Sequence, residues 1–259
     1  MGDGMVVSTR VASPVRANPV PAARITLDRV SYGWRGRPAV SGVSGVFAPG
    51  SMTAIVGPNG AGKSTLVKGI MGVLRPLGGH VRVDGAGRRE LAWLPQAADL
   101  DRSFPITVRE LVAMGAWRRV GPWRRYGRTE RDRVEQALAA VGLADLGDRI
   151  AGTLSGGQLQ RALFARLMLQ DAGVLLLDEP FAAVDSHTTE DLMALLTDCH
   201  AQGRTVIAVL HDMDLVRAHF PHTLLLAGRT VAWGDTADVL TEQNLRAARA
   251  LRDQELAWD

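Results

Sequence analysis

The chain is poor in the residues and runs that mark several classes of protein. Cys199 is its one cysteine, which excludes an intramolecular disulfide and a cysteine-based zinc site and fits a reducing, cytoplasmic setting. The longest apolar runs, such as Val174–Leu177 and Val206–Leu210, fall far short of the ~20 residues that a membrane-spanning helix needs. With 46% apolar and 22% charged residues among 259, the composition excludes whole-chain disorder and a coiled-coil or collagen-like rod. We expect one large α/β domain, or a domain with a subdomain.

Lysine is also scarce, since Lys63 and Lys68 are the only lysines among 30 basic residues and the net charge is +3. Seven arginines crowd one stretch: Arg118, Arg119, Arg124, Arg125, Arg128, Arg131 and Arg133. This cluster is either a solvated face or a patch for nucleic acid or anionic lipid. Residues 1–24 lack an apolar block after a basic start, so they predict a flexible leader rather than a secretory signal.

The apolar pattern predicts strands and helices in alternation, interrupted by a helical stretch. A β-rich opening, a helix and two short strands are expected at Ile25–Val56, Lys63–Leu74, His80–Val83 and Leu91–Leu94. Capping patterns then predict helices that begin near Thr107 and Thr129. The uninterrupted apolar runs after Gly152 are typical of parallel strands covered on both faces. The pattern indicates an α/β core with a mostly helical insert near residues 97–155.

A glycine-rich turn follows the apolar run Met52–Val56 and matches the phosphate-binding pattern GxxxxGK[ST]. Glycines let the backbone turn its N–H groups toward phosphate oxygens, and the helix that follows offers its positive end to the anion. The predicted nucleotide-binding residues are Gly57, Pro58, Asn59, Gly60, Ala61, Gly62, Lys63, Ser64 and Thr65. Lys63 is expected at the β- and γ-phosphates, and the Ser64 hydroxyl is expected on Mg²⁺.

Two acids, Asp178 and Glu179, end a later apolar strand. The carboxyl ends of strands form the ligand-binding edge of an α/β sheet. We expect Asp178 to hold Mg²⁺, directly or through water, and Glu179 to orient or deprotonate an attacking water.

The segment Leu154-Ser155-Gly156-Gly157-Gln158 resembles the signature sequence of ABC ATPases and precedes a helix-like run. Four more residues resemble elements of that family in its order, and each has a plainer alternative. Tyr32 resembles the adenine-stacking aromatic, or is a core tyrosine; Gln96 resembles the glutamine that senses Mg²⁺ and the γ-phosphate, or lies at the surface. Asp185 resembles the D-loop aspartate, or caps a helix; His211 resembles the switch histidine, or simply ends a strand.

The resemblance spans about Ile25 to Ala237 and implies a P-loop NTPase core of the ABC ATPase type. That fold carries an N-terminal antiparallel β subdomain and a helical insert subdomain, here at about 97–155. The implied division is an ATPase domain at 25–240 followed by a C-terminal helical tail at 241–259.

The family's working unit is a nucleotide sandwich, in which the P-loop of one subunit and the signature of its partner enclose one ATP. The resemblance therefore implies ATP and Mg²⁺ as cofactors and a homodimer, or pairing with a second ATPase chain. It assigns catalysis to Glu179, His211, Gln96 and Lys63. Mg²⁺ would be held by Ser64, Gln96 and Asp178, and the partner's ATP would be met by Ser155, Gly156, Gly157, Gln158 and Asp185.

Several short strings are similar to ATPase subunits of zinc- and manganese-type metal uptake systems. They are Arg102–Val108, Val112–Gly115, Ala162–Arg166, Asp178–Phe181 and His219–His222. The implied function is ATP hydrolysis that drives uptake of a divalent metal ion, with zinc favoured over manganese. The implied partners are transmembrane permease subunits and, indirectly, a periplasmic or extracellular metal-binding protein. The implied location is peripheral, on the cytoplasmic face of the cell membrane.

Phe104 and Trp117 lie where such ATPases receive a coupling helix from the permease, so they are interface anchors or part of the insert's own core. His219 with His222, and Cys199 with His200, lack a third and fourth ligand, so neither pair predicts a metal site.

Alternative functions within transport are an importer of iron chelates or haem and an exporter. A ribosome- or DNA-associated ABC ATPase is the alternative outside transport, although the chain holds one cassette and no sustained heptads. We expect no nucleic-acid partner.

Overall fold

The computed structural model describes residues 23–85, 90–97, 101–121, 126–182 and 184–256, with side chains as far as Arg252. Residues 1–22 of the predicted leader and two members of the arginine cluster, Arg124 and Arg125, lie outside the described residues. Ala23 is fully buried and Arg24 begins the first strand, so the last two residues of the predicted leader are part of the fold.

The described elements alternate as an α/β protein does. The strands are β1 Arg24–Trp34, β2 Arg37–Phe47, β3 Met52–Val56, β4 Gly78–Asp84, β5 Leu91–Leu94, β6 Val174–Asp178, β7 Thr205–Val209, β8 His222–Ala227 and β9 Arg229–Asp235. The helices are α1 Lys63–Ile70, α2 Val108–Ala113, α3 Trp117–Val120, α4 Arg128–Ala140, α5 Gly156–Leu169, α6 Ser186–Ala201, α7 Met213–His219, α8 Thr236–Val239 and α9 Glu242–Leu256.

A six-stranded sheet in the order β5-β6-β7-β3-β8-β9 forms the core, and all its pairs are parallel except β8 with β9. Along β6, Leu175 and Leu177 face one hydrophobic cluster, while Val174 and Leu176 face the other. This explains the uninterrupted apolar runs, because both faces of the central strands are covered.

A three-stranded antiparallel sheet, in the order β2-β1-β4, packs with α1 on one face of the core sheet. Leu66, Val67 and Ile70 of α1 are buried between the two sheets. The predicted antiparallel subdomain is confirmed. The helix ends at Ile70 rather than at Leu74, and Gly72 follows it with φ of 80°.

The helical insert consists of α2, α3 and α4 and packs against α5. Thr107 caps α2 as predicted: its hydroxyl accepts from the Glu110 backbone N–H, while the Glu110 carboxylate accepts from the Thr107 N–H. Helix α4 begins at Arg128 rather than at Thr129, and Gly127 is its N-cap.

Helix α9 lies within the predicted C-terminal tail. Its Ala248 is buried in the same hydrophobic cluster as α5 and α6, with Leu245 and Leu251 packed alongside. In the described part of the chain, no helix is both long and apolar enough to cross a bilayer.

Candidate active site

The glycine-rich turn connects β3 to α1 and lines a cleft of about 830 Å³, a size typical of small-molecule sites. Gly62 is the N-cap of α1 with φ of 83°, and a methyl group there would overlap the carbonyl of Ala39 on β2. Only glycine combines this backbone conformation with so close an approach. The lining residues are Ala39, Asn59, Gly60, Ala61, Gly62, Lys63, Ser64, Thr65, Gln96, Glu179 and His211.

The Lys63 ammonium is folded against its own loop. Nζ donates hydrogen bonds to the carbonyls of Gly57 and Pro58, both at 2.9 Å, which is the role the structure gives those two residues. Burial lowers the pKa of Lys63, and the nearby carboxylates of Glu179 and Asp178 partly oppose that shift. A buried cation at the start of a helix is an arrangement suited to a polyphosphate.

Asp178 ends β6 and is fully buried, and its Oδ1 accepts a hydrogen bond of 2.8 Å from the Ser64 hydroxyl. The phosphate loop and the acidic strand end therefore meet at one pair of oxygens. Hard oxygen ligands of this kind, one or two from the protein beside substrate phosphates, are what Mg²⁺ takes.

Glu179 is held by groups that follow two other strands. Its Oε1 lies 2.7 Å from His211 Nε2, which follows β7, and its Oε2 accepts a 2.9 Å hydrogen bond from the Gln96 amide, which follows β5. Glu179 also has φ of 51°, a strained value for a residue with a Cβ. The structure thus brings Gln96, Glu179 and His211 together at the edge of the cleft.

The prediction that Tyr32 stacks on adenine is wrong. Its side chain is 1% exposed, and a methyl group at Gly69 of α1 would overlap its ring, so it is a core residue that cannot stack on adenine. The neighbouring Trp34 at the end of β1 is 58% exposed. Register shifts in β1 place these two aromatics in different environments. The sequence offers one signal for the exposed residue, namely that Trp34 directly precedes the turn at Arg35 and Gly36.

The signature residues lie at the start of α5. Ser155 is its N-cap and forms a capping box with Gln158, while Asp185 is the N-cap of α6. Within the described chain, the residues that line the cleft at the glycine-rich turn, called the phosphate cleft below, include neither Ser155–Gln158 nor Asp185. The glycine Gly157 is close to Asp185, since a methyl group on it would be 3.8 Å from Oδ2.

The structure also shows the surroundings of Phe104, Trp117 and two arginines of the cluster. Phe104 and Trp117 are 58% and 65% exposed, so they are not part of the insert's own core. Arg118 donates to the Leu91 carbonyl and Arg119 pairs with Glu130, so two members of the arginine cluster serve the fold. Among the described residues, no group of three or more His, Cys, Asp and Glu is placed to hold a metal ion.

The sequence profile of the ABC transporter family matches residues 40–182, more than half of the chain. The chain belongs to this family. A zinc transport system ATP-binding protein of Treponema pallidum is 38% identical over 88% of this ABC ATPase and 87% of the relative. A manganese transport system ATP-binding protein of Synechocystis is 39% identical over 85% and 88%. A dimeric ATP-binding cassette bound to ADP and phosphate is 25% identical, with a TM-score of 0.74 over 82% of this chain and 98% of that one.

Proposed function

We propose that this ABC ATPase hydrolyses ATP to drive the uptake of zinc or manganese through a membrane permease. The observation that carries the ATPase part is the convergence of Gln96 and His211 on Glu179, at the mouth of the phosphate cleft. The metal part is supported by relatives named for zinc and manganese transport, which match along nearly their whole length.

The residues present fit both ATP and Mg²⁺. The turn Gly57–Ser64 would bind the phosphates, and the oxygens of Ser64, Asp178 and Gln96 would hold Mg²⁺. The cation would supply positive charge at the transferred phosphoryl group. The exposed ring of Trp34 takes over the adenine-stacking role that the sequence assigned to Tyr32, because it lies in the hairpin whose strand β2 lines the cleft through Ala39.

The side chains of the chain itself divide the remaining work. Glu179 would accept a proton from the attacking water or orient it, with its carboxylate held in place by His211 and Gln96. Lys63 would leave its loop carbonyls for the phosphates, where its charge is stabilising. His211 lies at the same edge and would contact the γ-phosphate.

Two copies of the chain would form the working unit. The signature at Ser155–Gln158 and the carboxylate of Asp185 lie outside the cleft of their own chain, which supports their use on a partner's nucleotide. The exposed Phe104 and Trp117 are suited to anchor a permease helix, because aromatic side chains are enriched at the cores of protein interfaces. In this proposal the ATPase lies on the cytoplasmic face of the membrane, and an external binding protein delivers the ion.

The test is uptake of radiolabelled zinc and manganese by cells that depend on this chain, complemented with wild type or with Glu179→Gln. We expect wild type to restore uptake of one of the two ions and Glu179→Gln to bind ATP without restoring it. Glu242→Gln, which alters an exposed acid of α9, is the matched control and should behave as wild type.

Uptake of an iron chelate or haem but of neither metal ion would contradict the proposed cargo. ATP-dependent loss of label from the cells would identify an exporter. Full uptake with Glu179→Gln would refute the role given to this carboxylate.

A further inference from the structure

Arg161, on the second turn of α5, joins three parts of the chain. Nη1 donates to the carbonyl of Val141 after α4 at 3.2 Å. Nη2 donates to the Thr188 hydroxyl at 2.9 Å and lies 3.0 Å from the Asp191 carboxylate, both on α6. The side chain is only 21% exposed, so the contacts form largely out of water, where hydrogen bonds of a charged group are strong.

The Thr188 hydroxyl connects Arg161 to Asp185 through hydrogen bonds. It accepts from Arg161 and donates to Asp185 Oδ2 at 2.9 Å, while the Thr188 backbone N–H donates to Oδ1 at 2.9 Å. Both oxygens of the carboxylate are therefore fixed from one residue. These hydrogen bonds, with a smaller contribution from the charge of Arg161, lower the pKa of Asp185.

The contact links two helices that share one hydrophobic cluster and carry different elements of the candidate site. Helix α5 carries the signature and packs on the helical insert, whereas α6 follows the acidic strand end of the core sheet. The Asp185 carboxylate lies against Gly157 of the signature. The relative position of signature and carboxylate thus depends on the side chains that cross between α5 and α6.

We propose that Arg161 is a positioning residue that holds the signature turn and Asp185 as one unit. The inference deepens the proposed function, since both groups would serve the nucleotide of the partner copy. Arg161 itself would touch no nucleotide and would act through Thr188. Its planar fork matters, because it reaches the Val141 carbonyl and the α6 acceptors together, which a lysine ammonium cannot do.

The test compares Arg161→Gln, Arg161→Lys, Thr188→Val and Thr188→Ser in the full chain. We expect Arg161→Gln and Thr188→Val to lower kcat per folded subunit about tenfold, with Arg161→Lys in between. Thr188→Ser keeps the hydroxyl and should stay within about twofold of wild type. ATP affinity of the dilute subunit should change less than about twofold, because no residue lining its own cleft is altered.

A second measurement needs no hydrolysis. In a Glu179→Gln background, ATP-driven self-association should require about tenfold more protein when Arg161→Gln is added. Combining Arg161→Gln with Thr188→Val should weaken self-association little beyond either substitution alone, since both interrupt the same hydrogen bonds from Arg161 through Thr188 to Asp185. Arg246→Gln is the matched control, because Arg246 also pairs with an acid on a helix but lies at the surface of α9.

A merely structural role predicts different results. The proposal is wrong if Thr188→Ser is as impaired as Thr188→Val, if activity falls only with the folded fraction, or if ATP affinity of the dilute subunit falls as much as kcat. Absence of metal uptake in an assembly that hydrolyses ATP and self-associates as described would contradict the proposed cargo and leave this inference standing.

Discussion

Replacing Trp34 by alanine is expected to weaken ATP binding and to leave stability nearly unchanged. The ring is 58% exposed, so its loss removes few contacts of the folded chain. Stacking of a base on an aromatic side chain contributes ~1–3 kcal/mol, which corresponds to about 5- to 150-fold in affinity. Tyr32→Ala should do the reverse: deleting a buried aromatic of this size costs ~3–5 kcal/mol of unfolding free energy, while the folded fraction should bind ATP normally.

Calorimetric titration with ATP and with inorganic tripolyphosphate separates the base from the phosphates. Trp34→Ala should reduce affinity for ATP and not for tripolyphosphate, and Trp34→Phe should retain most of the ATP affinity. Urea unfolding supplies the stability of each variant. Unchanged ATP affinity in Trp34→Ala, or an equal loss for tripolyphosphate, would refute the assignment of this side chain to the adenine.

Three further outcomes follow from buried or constrained groups. Burial raises the pKa of the Cys199 thiol to about 11, so at pH 8 the thiol of the folded chain should resist Ellman's reagent. In denaturant, one thiol per chain should react. Asp171→Asn should lower the unfolding free energy by about 2 kcal/mol in urea titrations, because it removes the charge that faces the buried guanidinium of Arg204 at 3.2 Å. Gly60→Ala should reduce ATP affinity in calorimetry, since φ is 78° and a residue with a Cβ would strain the glycine-rich turn there.

The elements that interact with near neighbours could be predicted from the sequence. The Thr107 capping box and the glycine turn before Lys63 each depend on residues a few positions apart, and both are present. Apolar runs predicted the core strands, because a strand that is covered on both faces has apolar residues at successive positions. The end of α1 was predicted less accurately. Apolar residues continue to Leu74, although the backbone leaves the helix before Gly72.

The choice between Tyr32 and Trp34 required the folded chain. Both aromatics lie in β1, two residues apart, and their spacing does not separate a core position from an exposed one. Bulges in β1 and the packing of α1 through Gly69 decide which ring is covered.

Taken alone, the order of residues determined the family and the candidate reacting groups, because those groups lie in short motifs whose chemistry is local. Only the tertiary structure decided how they meet: Gln96 and His211 come to Glu179, and Arg161 comes to Thr188, from positions far apart in the chain. Parallel strands end at one edge of the sheet and side chains cross between packed helices, so these distances depend on packing that no local pattern specifies.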